Sequence, residues 1–146
     1  MDQPVNDREQ LRAGTILVIS WAKLIPKGET WPIAGRDFAA AARQLAPANG
    51  FAGLFWVTEN VAGLVAPDYD LILSKMQTAT LIAYESPEFR RFRVNVTSPY
   101  AINHLSRRVD ATAIELREAA ELAILHWKIA NEAGELNLAG VQVQQG

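Results

Sequence analysis

TILVISWAKLI, residues 15–25, is the stretch whose reading decides the fold. It is rich in β-branched and aromatic residues. A continuous apolar run of this kind reads as a strand covered on both faces. Pro26, Gly28 and Pro32 then close it and make a loop. On this reading residues 1–12 are a flexible start.

Working outward, residues 36–45 place Phe38, Ala41, Ala42 and Leu45 at helical spacing, and the PANG at 47–50 stops that helix. FAGLFWV, residues 51–57, reads as a second strand. Residues 61–70 contain Gly63 and Pro67 and read as a loop. Residues 71–84 read as one long strand, or as two with a turn near Lys75. Beyond Tyr84 the character changes. Ser86-Pro87 and Ser98-Pro99 each pair a capping serine with a proline suited to the first helical position, so helices are expected at 87–95 and 99–109. Asp110 then caps a longer helix from 111 to about 133, with Gly134 as its stop. Residues 136–143 alternate enough for a final strand.

The expected class is therefore α+β. A small mixed or antiparallel sheet in ferredoxin-like β-α-β-β-α order is followed by a C-terminal helical group. The expected domain spans 13–133, with 134–146 as a tail or edge strand. Folds of this kind host many unrelated functions, and no motif names a family.

Composition narrows the chemistry. Apolar residues make up 49% of the 146 positions and charged residues 21%, too apolar a chain for disorder. Cysteine is absent, which removes disulfides, thiolate metal sites and a cysteine nucleophile. Residues 1–10 are polar, and no apolar run approaches the ~20 residues that span a bilayer. A cytoplasmic protein without a membrane partner is the expectation.

No glycine-rich phosphate loop, Gly-x-Ser-x-Gly elbow or His-Glu-x-x-His occurs. His104 and His126 fall on different expected helices. Glu121 or Glu59 could complete a metal site with them, but nothing in the spacing asks for it. No metal and no cofactor are expected. Asp68 and Asp70 flank Tyr69 in the expected loop, where carboxylates serve acid–base work or, more simply, make turns. Glu59-Asn60 reads the same way. Trp21 and Trp56 lie on strands expected to pair. With Tyr84 and His104 they could line a pocket for a small-molecule enzyme, although large aromatics also fill cores. Trp31 is expected in an exposed loop, as a partner contact.

The net charge of −2 is unevenly spread. Residues 86–108 hold Arg90, Arg91, Arg93, Arg107 and Arg108 against Glu88 alone. This block could meet an anionic partner or pair with the acidic last helix. Residues 99–124 also resemble a helix-turn-helix, with Leu105 and Val109 packing the first helix and Leu116 and Ala120 the second. The departures are Asp110 where glycine is usual and three glutamates, Glu115, Glu118 and Glu121, on the would-be recognition helix.

The last helix carries two apolar faces. Ala113, Leu116, Ala120, Ala123, Trp127 and Ala130 form one; Ile114, Leu122, Leu125 and Ile129 form the other. A helix apolar on more than one side is buried or shared with another chain. The first expectation is thus a non-catalytic binding or assembly protein acting as a homo-oligomer, its interface at Ile114, Leu122, Leu125 and Ile129. A nucleic-acid-binding protein using the arginines is the second, and a small-molecule enzyme the third.

Overall fold

The computed structural model describes residues 7–45, 50–85 and 87–142, with side chains as far as residue 131. The chain is mixed α+β and largely helical. Its first described element is a helix, so the described elements do not follow the expected ferredoxin-like order. The order is α1 (Asp7–Leu24), β1 (Thr30–Pro32), α2 (Gly35–Leu45), a 3-10 turn (Ala52–Leu54), β2 (Thr58–Asn60), β3 (Gly63–Val65), α3 (Pro67–Thr78), β4 (Ile82–Tyr84), β5 (Arg91–Val94), α4 (Pro99–Val109) and α5 (Ala113–Gln142).

The decisive stretch is helix. α1 is buried without a break from Ala13 to Trp21, because α3, α4 and α5 all pack on it. A run apolar on every side suits an interior helix as well as an interior strand, and periodicity alone does not separate the two. Its two hydroxyls are absorbed helically: Thr15 donates to the Leu11 carbonyl and Ser20 to that of Ile16. Residues 7–12, expected to be loose, are the first turns of this helix.

Residues 71–78, expected as strand, belong to α3. Pro67 starts it, and Asp68 and Asp70 sit in its first turn, where carboxylates favour the helix dipole. So these aspartates are not turn residues. The helix ends with the Thr80 amide on the Gln77 carbonyl and the Leu81 amide on that of Met76. This closure needs a left-handed residue, and Thr80 takes it at φ 63°.

The stretch at 51–57 is a 3-10 turn and extended loop rather than a strand. The nearby hairpin is β2–β3, whose turn is held by the Asn60 side chain accepting from the Ala62 amide. Residues 91–94, expected as helix, form the central strand of a three-stranded antiparallel sheet ordered β1-β5-β4. Arg91 and Arg93 face out and Phe92 and Val94 face in, the period of two that a half-buried strand requires. The expected cap Ser86 lies outside the described residues.

α2 and α4 form where expected, and Ser98 caps α4 by accepting from the Ala101 amide. Asp110 does not cap α5. It closes α4 in the left-handed region, and Thr112 and Glu115 exchange the reciprocal bonds that start α5. α5 runs through Gly134 to Gln142, so the expected final strand is helical there; residues 143–146 lie outside the described residues.

One core joins these elements. Trp21 meets Phe92 at 4.8 Å, tying α1 to the inner face of the sheet. Phe38 stacks on Tyr69 at 3.8 Å and meets Phe55 edge-on, tying α2 to α3 and the 3-10 turn. α5 crosses both α1 and α2.

Candidate binding surfaces

Several polar groups inside the molecule tie elements of the fold together. Asp68 is buried and accepts from the Gln10 side-chain Nε2 at 3.0 Å; Lys75 donates to Gln10 Oε1 and, at 2.7 Å, to Asp7. These contacts fasten α1 to α3. His126 is wholly buried on α5. Its Nε2–H donates to the Pro32 carbonyl at 3.2 Å, with the Tyr69 hydroxyl 3.4 Å away. Burial pushes its pKa down to about 4, against the raising effect of the Pro32 carbonyl. The imidazole is thus neutral at pH 7. Burial also raises the carboxyls of Asp70 and Asp37 and the phenol of Tyr69. His104 sits on the exposed side of α4. Among the described residues no group of three His, Asp or Glu side chains is placed to hold a metal.

The expected aromatic pocket is dispersed. Trp21 is buried on α1, Tyr84 is half-buried on β4, and His104 is on α4. Trp56 is half-exposed in the loop before β2, where it lines a shallow groove with Arg43 and Glu59.

The basic block is also divided. Arg91 donates to the Thr30 hydroxyl and carbonyl, and Arg93 pairs with Glu85 at 2.7 Å. Arg90 is exposed in the turn before β5. Arg107 and Arg108 are exposed in the last turn of α4. The three glutamates of the helix-turn-helix-like segment have partners within the chain. Glu115 takes a bidentate bond from Arg12, at 2.6 and 2.7 Å. That guanidinium holds its carboxyl well down, at about 2. Glu118 accepts from the Phe51 amide, and Glu121 lies 3.8 Å from Arg117.

Of the expected interface residues, Leu122 is wholly buried in the core, and Leu125 and Ile129 pack partly buried against it. Ile114 is exposed, beside a groove of about 430 Å³ formed with Phe51, Leu54 and Glu118. The apolar surface that α5 does expose lies elsewhere. Ile124 and Trp127 are 44% and 37% exposed, and Leu24 at the end of α1 is 38% exposed. These three border a groove of about 360 Å³, with Ile25, Pro26 and Trp31. Trp31 is buried, not exposed as expected. Its ring lies 5.8 Å from that of Trp127. The signal that could have found this site is the spacing of Ile124 and Trp127, three apart on one helical face.

No protein-family model, curated protein or solved structure matches this chain. No helix among the described residues is long and apolar enough to cross a membrane.

Proposed function

We propose that the chain is a non-catalytic binding and assembly protein that self-associates through the groove between the end of α1, β1 and α5. One observation carries this reading: Leu24, Ile124 and Trp127 stay exposed together around a recess floored by Trp31. Aromatic and aliphatic anchors of this kind form the dry centre of protein interfaces, with charges displaced to the rim. Glu29 lines the same groove, and Lys128 is exposed one residue from Trp127. In a two-fold interface each patch meets its own copy. A stable contact of this type covers roughly 800 Å² on each partner.

Sedimentation equilibrium of the full chain tests the reading. The expected result is a concentration-dependent mass above the monomer, lost in Ile124→Glu and Trp127→Glu, with unchanged far-ultraviolet circular dichroism. A wild-type chain still monomeric at roughly 100 µM, far above the Kd of a specific interface, would overturn it.

A further inference from the structure

A second groove lies at the other end of α1. It is bounded by the N-terminal half of α1, the turn from α3 into β4, and α4, and its volume is about 760 Å³. That falls in the range of small-molecule sites, roughly 300–1,000 Å³. Its lining has two parts. Leu11, Leu81, Leu105 and Val109 come from three different parts of the fold, and each is left partly exposed around this recess. Arg8 and Arg108 stand on the same lining, both exposed, and neither has a salt bridge among the described residues. Arg12 is also present, but its guanidinium is taken by Glu115. Asp110 is the carboxylate of this lining. Against it, two guanidiniums without a partner among the described residues leave this lining positive.

We propose that this groove binds a free, single-chain anionic amphiphile. The alkyl chain lies along the four aliphatic side chains, and the anionic head sits at Arg8 and Arg108. Guanidinium and carboxylate match in charge and in fork geometry. An aliphatic tail removes from water the surface that the protein leaves uncovered. The lining carries no aromatic ring, so nucleic-acid bases have no platform to stack on. The aliphatic groups line a recess, which suits a free molecule better than a bilayer surface. This site is separate from the Trp31–Trp127 groove and does not depend on self-association.

Isothermal titration of the full chain with dodecanoate, below its micelle concentration, is the test. One saturable site is expected, weakened about tenfold or more in an Arg8→Gln/Arg108→Gln double variant. Ile124→Glu, in the other groove, should bind as wild type does. Dodecyltrimethylammonium should not bind. Both arginines are exposed and without ion pairs among the described residues, so the double variant should keep the wild-type circular dichroism spectrum and melting temperature. No saturable dodecanoate binding overturns the proposal, as does binding that the double variant leaves unchanged or that the cationic analogue reproduces. Anionic vesicles or a random single-stranded oligonucleotide binding through the arginines while dodecanoate is silent would also overturn it, and would assign the groove to that partner.

Discussion

The two grooves share one helix and differ in everything that lines them. At the C-terminal end of α1, Leu24 and Ile25 meet Trp31, Ile124 and Trp127, and the surface is aromatic and largely uncharged. At its N-terminal half, Leu11 and Thr15 meet Leu105, Val109 and Arg108, and the surface is aliphatic with a cationic rim. The centre of α1, from Ala13 to Trp21, is covered by its neighbours, so its sequence serves packing alone. Only the ends are incompletely covered, and their character depends on what meets there. α5 brings a tryptophan and an isoleucine to the C-terminal end; at the N-terminal half Arg8 of α1 itself stands with Arg108 of α4. One helix can thus carry two different surfaces at its two ends.

That contrast can be broken hardest at the Trp31–Trp127 end. Leu122 and Ile124 are two residues apart on α5, one wholly buried and one exposed. Leu122→Glu should cost ~3–5 kcal/mol or prevent folding, through a lost core side chain and an uncompensated buried charge. Ile124→Glu should change stability by less than ~0.5 kcal/mol and act on the mass alone. Urea unfolding of both variants checks this. Equal stabilities would mean that the stripe facing the core has been misplaced.

His126 sharpens the same end, since it holds the Pro32 carbonyl next to Trp31. Its folded pKa of about 4 lies below the ordinary 6.5. The fold holds it neutral. That contribution is fully present above pH ~6.5 and is lost as pH falls from 6.5 towards 4, by on the order of 2–3 kcal/mol. Thermal melts between pH 7 and pH 4 should show it, and His126→Gln should flatten this part of the profile.

The other end responds in a lower window. Glu115 is held near 2 by Arg12, against an ordinary 4.5. Its contribution is present above pH ~4.5 and lost as pH falls from there towards 2. Arg12→Gln should destabilise by ~1–2 kcal/mol at pH 7 and should remove the acid-dependent loss below pH 4.5. If the variant keeps that loss, another carboxylate is responsible for it. The smallest effect is expected at Thr80, in the turn that borders the cationic groove. Its left-handed backbone suits glycine, so Thr80→Gly should raise stability by up to ~1 kcal/mol, read as a higher melting temperature.

Legibility followed the strength of local signals. Ser98-Pro99 marked α4 correctly because a capping side chain acts within one turn. Phe38, Ala41 and Ala42 marked α2 because only one side of it is buried. The alternation of Arg91, Phe92, Arg93 and Val94 was readable as a strand but was masked by the helix-start signal before it. On α5 the apolar positions were legible, and the side facing out was not. Leu122 is expected at an interface but is wholly buried in the core, and on the other apolar face Trp127 is exposed while Ala123 and Ala130 are buried.

By itself the sequence determined a cysteine-free mixed α+β chain, its α2 and α4 helices and a long apolar final helix. Composition and short-range capping act over a few residues, and they need no partner. Only the tertiary structure decided that residues 15–24 are helix, that Glu115, Glu118 and Glu121 are engaged within the chain, and where apolar surface is left uncovered. A run apolar on all sides satisfies either backbone equally well. Which one forms depends on what packs around it, here α3, α4 and α5, from distant parts of the chain.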